Sequence, residues 1–312
     1  MLYLLHRLIT VVVLATLAMS TNVFAAGEHL ALHKVADGIY AIVGGLDNRT
    51  PQNLGNNATF GAIVTAHGVV LIDPGGTYRG AQHLAERIRT FSDQPVVVVI
   101  NTGGQDHRWL GNEYFAERGA SIIAAAAAVK DQQARASNQL SMLSSLVGEA
   151  GIENTEPKYA DVVFERVHRL KLGGVEVEIH HRGQAHTPGD SFVWLPQSGV
   201  MFSGDIVYTK RMLTFGDQSD SKAWVQSFEA LASFAPSILV PGHGSPTVLA
   251  VARADTLEYL RFLRKAVRRF MADGGDISDI SSIDQSQFKR LANFNQLAGR
   301  NAQRVFEELE WE

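Results

Sequence analysis

The chain has 312 residues, of which 46% are hydrophobic and 19% charged, a composition typical of a folded globular protein. Its formal net charge of −4 is small, which argues against nucleic acid or an anionic membrane as a partner. It contains no cysteine. Disulfides, thiolate nucleophiles and cysteine-ligated metals are therefore excluded, and any metal must bind to His, Asp, Glu or Gln.

The first residues have the pattern of a secretory signal. Arg7 precedes an apolar run from Leu8 to Met19, and Val23-Phe24-Ala25 satisfies the small-x-small rule for cleavage. This run of roughly a dozen residues is short for a membrane span, which needs about 20. We predict a cleaved signal peptide at residues 1–25 and a periplasmic or secreted protein, with an uncleaved anchor as the alternative.

The part of the chain after Leu30 alternates short β-like runs with turns. HKVADGIYAIVGG is one such run, ATFGAIVTAHGVVLIDPGG predicts a hairpin, and QPVVVVIN predicts a buried strand. Between the last two, TYRGAQHLAERIRTF carries apolar residues at helical spacing. A short helix at 113–118, a strand SIIAAAA and a polar helix at 127–150 complete this half, and the polar helix could cover a site as a lid.

A second strand-rich block follows, made of DVVFERVHRLKLGGVEVEIHHRG, SFVWLP and GVMFSGDIV. The helix AWVQSFEALASF and the strand SILVPGHG close it. A long helix is predicted from about Thr247 to Met271, ended by Gly274-Gly275, and a shorter helical pair ends in RVFEELEWE. Two β-rich halves with helices predict an α/β protein, a four-layer αββα sandwich at 26–247 with a helical extension at 248–312.

Acid and imidazole side chains follow predicted strands at five places, each close to glycine. They are Asp73 in LIDPGG, Asp106-His107 in NTGGQDHRWLGN, His186 in GQAHTPGD, Asp205 in MFSGDIV and His243 in LVPGHG. Loops at strand ends are where a rigid scaffold presents functional side chains. Any one of them alone has an ordinary explanation as a turn-capping Asp or a hydrogen-bonded His. Their repetition at strand ends favours a shared site.

The motifs LIDPGG, NTxxxDHxxxGN, AHTPGDSFVWLP, FSGD and PGHG, in this order, resemble the metallo-β-lactamase-fold hydrolase superfamily. The resemblance runs from about Lys34 to Thr247. It implies the αββα sandwich and a metal site at one edge, between the two sheets. It also implies that Asp106, His107 and His243 bind one metal, that Asp205 bridges, and that His186 belongs to another metal position. Asp73 is expected to support the metal loop from behind.

One departure from the family's His-x-His-x-Asp-His loop is plain. Three residues, Gly103, Gly104 and Gln105, stand where the pattern has four, and none of them is histidine. The first metal position keeps only His186 and a share of Asp205, which is short of the three protein ligands a catalytic zinc normally has. We therefore predict one metal rather than two. Zn is favoured, Fe and Mn remain alternatives, and Gln105 is a minor candidate ligand.

These residues predict an exported metal-dependent hydrolase in which a metal-bound hydroxide attacks an ester, thioester, amide or lactam bond. Asp106 or Asp205 would orient the nucleophile, and His186 would act as acid, base or oxyanion donor. Lys210 and Arg211 could meet a substrate carboxylate or be solvated loop cations. The expected partner is a small-molecule substrate, with no nucleic acid and no membrane after signal cleavage, and the oligomeric state is open.

Two other functions remain open. A non-catalytic member of the same fold could bind a metal or small molecule, which would explain the lost histidines. A redox or sulfur-processing iron enzyme is the third possibility, although it would rest on the metal position that is incomplete here.

Overall fold

The computed structural model describes residues 30–312, so the predicted signal peptide lies outside the described residues. Two sheets form its centre. The first contains, in spatial order, β1 Ala31–Ala36, β2 Ile39–Val43, β3 Thr59–Thr65, β4 Gly68–Ile72, β5 Val96–Asn101, β6 Ser121–Ala125 and β7 Val162–Phe164. The second, in the spatial order β12-β11-β10-β9-β8, contains β8 Val167–Leu172, β9 Val175–His181, β10 Ser191–Leu195, β11 Val200–Phe202 and β12 Ile238–Val240.

Helices cover both outer faces of the sheet pair. They are α1 Tyr78–Arg89, α2 Asn112–Ala116, α3 Ala126–Val147, α4 Glu149–Ile152, α5 Ser221–Ala232, α6 Leu249–Ala252, α7 Glu258–Ala272 and α8 Phe294–Leu309. A π-helical turn at Arg253–Leu257 joins α6 to α7. Between residues 30 and 312, no helix combines the length and apolar character needed to cross a bilayer.

Three apolar clusters show the layering. One lies between the sheets and joins Ile63, Val70 and Ile100 of the first to Ile179 and Val193 of the second. Another packs the outer face of the first sheet against α1 and α2, and the third packs the second sheet against α5, α7 and α8. The predicted αββα sandwich is confirmed.

The strands that lead into the site are parallel. β4, β5, β6 and β7 pair in parallel, as do β11 and β12, so their carboxyl ends meet at one edge. The sequence had grouped β7 with the second half, but it pairs with β6. Helix α3 provides the long crossover that a parallel pair requires.

The C-terminal segment differs from the expected short helical pair. Short 3-10 turns at Ile277–Ser282 and Ser286–Phe288 precede the single helix α8. The third cluster continues from Ala185 to Phe306, across the predicted boundary at residue 247. The C-terminal helices therefore share the core of the second sheet.

Candidate metal centre

The predicted site residues converge on the edge where the parallel strands end. Asp73 follows β4, while Asp106 and His107 lie in a 3-10 turn after β5. Asp205 lies in a similar turn after β11, and His243 follows β12. All of these side chains are buried, as is His186 after β9. The sequence thus places its acid and imidazole groups in one buried region of the fold.

Three of them form a close cluster, made of His107, Asp205 and His243. One ligand atom from each lies within 4.8 Å of the other two. The Nε2 atoms of His107 and His243 each lie 3.2 Å from a different oxygen of the Asp205 carboxylate. Two imidazoles and a carboxylate are the donor set that zinc binds in mixed sites. We call these three residues the central cluster.

The tautomer of His243 shows that the central cluster suits a cation. Its Nδ1 lies 2.9 Å from the carbonyl oxygen of Asn57, which can only accept, so Nδ1 carries the proton. Burial lowers the pKa of His243 well below its usual value, and the ring is neutral. The lone pair of Nε2 therefore faces Asp205, and Nε2 has no hydrogen-bond partner. Two buried acceptors that face each other are stabilised by a cation between them.

Asp106 does not join the central cluster. Its Oδ1 pairs with the guanidinium of Arg49 and accepts the backbone N–H of His107 at 2.7 Å. Arg49 also donates to Nδ1 of His107 at 2.9 Å. Burial raises the pKa of Asp106, but the opposing effects of Arg49 and His107 are larger and hold the pKa well below its usual value. In this geometry Asp106 orients His107 and anchors Arg49, and its Oδ2 is left without a partner.

A fully buried arginine, Arg108, holds the centre together from behind. It donates to Asp73 at 2.8 Å and to Asp205 at 2.6 Å. It also donates to the carbonyls of Thr59 at 3.1 Å and Gly242 at 2.9 Å, which tie β3 and the β12 loop to the site. Such charge-assisted bonds fix the orientation of the Asp205 carboxylate.

Asp73 lies behind the metal loop. It accepts the backbone N–H of Thr102 at 2.8 Å and the Arg108 guanidinium. Burial raises its pKa, against the effect of Arg108. These contacts agree with the supporting role that the sequence suggested for Asp73.

Side chains at the two glycines, Gly103 and Gly104, that stand where histidines are expected would meet neighbouring carboxylates. A Cβ on Gly104 would collide with the carboxylate of Asp131 from α3, and one on Gly103 with that of Asp190. Helix α3 seals this loop, because Gln132 donates to the carbonyl of Gly103 at 3.1 Å and Gln139 to that of Gly104 at 2.8 Å. Helix α3 thus closes one side of the centre by packing on the shortened loop.

His186 lies near the central cluster but outside it. Its Nδ1 is buried without a hydrogen-bond partner, and its ring packs near Tyr208 and Trp224. Burial lowers the pKa of His186 to about 4. The ring is therefore neutral at physiological pH. His186 lines the cavity above the central cluster, and its unpartnered Nδ1 is buried.

A cavity of about 580 Å³ opens above His107, His186 and His243. Loop 44–58, helix α3, the segment after β11 and helix α8 all contribute to its wall. Its charged lining residues are Arg49, Arg135, Arg211, Arg300 and Asp217.

Sequence reasoning missed Arg49 and Arg108. Arg108 had one weak signal, since it follows Asp106-His107 directly in the metal loop. Arg49 had none, because its loop is distant in sequence from every motif.

Sequence comparisons relate this chain to one family of known proteins. A family model described as "Metallo-beta-lactamase superfamily" matches residues 55–243. A metallo-beta-lactamase type 2 from Elizabethkingia meningoseptica is 24% identical over 220 residues, covering 68% of this chain and 78% of that protein. One from Bacillus sp. (strain 170) is 27% identical over 184 residues, covering 58% of this chain and 64% of that protein.

Solved structures agree at the level of the fold. A metallo-beta-lactamase from Pontibacter korlensis has a TM-score of 0.58 at 22% identity, covering 74% of this chain and 99% of its own. The stereoselective inverting sec-alkylsulfatase Pisa1 from Pseudomonas sp. has a TM-score of 0.68 at 19% identity, covering 89% of this chain and 50% of its own.

Proposed function

Because the chain belongs to the metallo-beta-lactamase superfamily, we propose that it is an exported hydrolase that uses one metal ion. The bond cleaved is an ester, thioester, amide or lactam. The observation that carries the proposal is the central cluster, in which the unprotonated Nε2 of His243 faces the Asp205 carboxylate at 3.2 Å. The export part rests on the signal pattern in residues 1–25.

One ion is favoured over two because of the closed side of the centre. Asp131 and Asp190 occupy the space that side chains at positions 104 and 103 would need. Positions 103 and 104 are glycines, so neither adds an imidazole to the metal position of His186. The donor set of two imidazoles and a carboxylate favours Zn, with Fe and Mn as alternatives.

A divalent ion held by the central cluster would supply Lewis acidity that activates water and polarises the scissile bond. The chain's own groups have separate tasks. Arg108 fixes the carboxylate of Asp205, and Asp106 holds the metal loop in place by accepting the backbone N–H of His107. His186 is neutral at physiological pH, so its free nitrogen can accept a proton from the reacting groups and return it to the leaving group.

Metal analysis tests the first half of the proposal. Protein purified without chelator should contain about one equivalent of metal, since three protein ligands suffice for a catalytic zinc. The His243→Ala variant should lose most of it, and the His83→Ala variant, changed on helix α1 outside the cavity lining, should keep it. Protein without metal, or an unchanged content in His243→Ala, would show that the central cluster is not a metal site.

Turnover tests the second half. The wild-type protein is assayed against ester, thioester, amide and lactam substrates, with the His186→Gln variant as a catalytic comparison. Hydrolysis that falls in His186→Gln while the metal content stays the same supports the proposal. Bound metal without turnover of any substrate would instead favour the non-catalytic alternative.

A further inference from the structure

The π-helical turn at Arg253–Leu257, the π-turn, presents two buried polar side chains to the chain after β11. The hydroxyl of Thr256 accepts the backbone N–H of Tyr208 at 3.0 Å and donates to the carbonyl of the same residue at 2.6 Å. The carboxylate of Asp255 accepts the backbone N–H of Lys210 at 2.9 Å. Such turns are rare within helices and are frequently found at functional sites.

The chain after β11 carries these contacts to the loop of His243. Val207 is extended, and along an extended chain the backbone groups of successive residues point to opposite sides. Tyr208 turns its N–H and its carbonyl to Thr256. Its neighbours face the other way, since the carbonyl of Val207 accepts the N–H of the residue before His243 at 2.9 Å. The N–H of Thr209 donates to the carbonyl of His243, also at 2.9 Å.

Side chains add to the link with His243. The ring of Tyr208 stacks on the imidazole of His243, with ring centroids 4.5 Å apart and planes inclined by 26°. A Cβ on Gly244 would lie 2.3 Å from the hydroxyl of Thr209, so the two loops are in direct contact. The chain after β11 therefore holds His243 through its backbone and through its ring.

The course of the chain after β11 is itself held from the C-terminal part of the protein. Lys210 has a left-handed backbone, with φ of 59°, and a residue other than glycine keeps this conformation only where its surroundings hold it. Asp255 accepts the N–H of Lys210, and the N–H of Ala292 donates to its carbonyl at 2.9 Å. Both partners lie beyond residues 55–243, which match the family model. The C-terminal extension thus fixes the backbone that supports His243.

We propose that Thr256 and Asp255 of the π-turn are positioning residues that hold His243 of the central cluster in place for metal binding. They act through the backbone of residues 208–210, and neither of them lines the cavity. This inference rests on the proposed function, because it concerns the same metal centre. Groups that orient a metal ligand from behind change the metal affinity when they are removed.

The affinity of the full-length protein for Zn²⁺, measured by competition with a chromophoric chelator, is the first test. Thr256→Val keeps the shape of the side chain but removes both hydrogen bonds to Tyr208, and we expect the Kd to rise about three- to tenfold. Thr256→Ser keeps the hydroxyl and should bind Zn²⁺ like wild type. Asp255→Ala should also raise the Kd, and it serves if Thr256→Val fails to fold.

Thr65→Val is the matched control. Thr65 is buried, and its hydroxyl makes the same kind of pair, donating to the carbonyl of Gly68 at 2.8 Å and accepting the N–H of His67 at 3.1 Å. It lies at the end of β3 away from the site, about 20 Å from Thr59 at a rise of about 3.3 Å per residue. It should lose stability as Thr256→Val does and still bind Zn²⁺ like wild type.

A second measurement needs no metal. The Nδ1–H of His243 is buried and donates to the carbonyl of Asn57 at 2.9 Å, so it should give an imidazole N–H signal in proton NMR spectra of the metal-free protein. The loss of this signal in His243→Ala assigns it. Thr256→Val should shift or broaden the signal, whereas Thr256→Ser and Thr65→Val should leave it in place.

The two measurements separate this inference from the proposed function. If the protein binds Zn²⁺, an unchanged Kd in Thr256→Val, or an equal rise in Thr65→Val, would overturn the inference and leave the metal centre standing. If it binds no Zn²⁺, the proposed function fails and the His243 signal decides. A signal that responds to Thr256→Val alone would then support the positioning of His243, and an unchanged signal would refute it.

Discussion

Replacing Arg49 by Met should strengthen metal binding. Arg49 donates to Nδ1 of His107 at 2.9 Å, so in this arrangement the proton of the ring is on Nε2. A metal bound at Nε2 requires the opposite tautomer, in which Nδ1–H can donate to Asp106 at 3.2 Å. The Arg49 contact and a metal on His107 therefore exclude each other.

The expected change in metal affinity follows from the hydrogen bond between Arg49 and His107, which must break when a metal binds to His107. A hydrogen bond that involves a charged group contributes about 1.5–3 kcal/mol, which is at least roughly tenfold in an equilibrium constant. The side chain of Arg49 is 12% exposed, so solvent weakens the contact slightly. We expect the Kd of Arg49→Met for Zn²⁺ to be about tenfold lower than that of wild type.

Competition against a chromophoric chelator near neutral pH measures this Kd. The control is Arg135→Met, which removes another cavity arginine whose carboxylate partner, Asp131, lies outside the central cluster. That variant should bind Zn²⁺ like wild type. An unchanged or weaker affinity in Arg49→Met, with a normal circular dichroism spectrum, would refute the reasoning.

Three further predictions concern stability. Gly104→Ala should lower the free energy of unfolding by about 1–3 kcal/mol in urea titrations, because its Cβ collides with Asp131, and its metal content should not rise. The control Gly299→Ala, in open space on α8, should leave the free energy of unfolding unchanged or raise it. Arg108→Met should lower the free energy of unfolding by about 3–5 kcal/mol, because it strands buried carboxylates; a loss under 1 kcal/mol in denaturant titration would contradict this. Burial and Asp205 raise the pKa of Asp190 to about 8, so the folded state keeps a proton that the unfolded state loses above its ordinary pKa. Stability should therefore fall between about pH 4 and 8 through this group, and Asp190→Asn should flatten the decline in thermal melts; an identical slope in both proteins would show that Asp190 does not carry it.

Most of the fold could be predicted from the sequence because local patterns determined it. Strands such as Val96–Asn101 and Gly68–Ile72 are continuous apolar runs, as expected of parallel strands covered on both faces. The place of Val162–Phe164 could not be predicted in this way, because pairing with β6 depends on where α3 returns the chain. The expected helical pair at the end of the chain was wrong in its first member, because 3-10 turns at Ile277–Ser282 and Ser286–Phe288 precede the single helix Phe294–Leu309.

Part of the candidate site could likewise be predicted from the sequence, and part could not. His107, Asp205 and His243 each follow a strand directly, so strand geometry brought them together. The partner that determines the role of Asp106 is the long cationic side chain of Arg49. The direction of such a side chain depends on tertiary packing, and a half-buried arginine looks the same in the sequence as a solvated one.

Arg108 bears on whether this protein folds before or after it binds a metal. Its guanidinium stands between Asp73 and Asp205 and provides a permanent counter-charge inside the fold. The strand-end loops are thereby joined by bonds that need no external ion. The chain can complete its folding before it encounters a metal, and a chelator should strip the ion without unfolding the protein, unlike small domains in which the metal is the core.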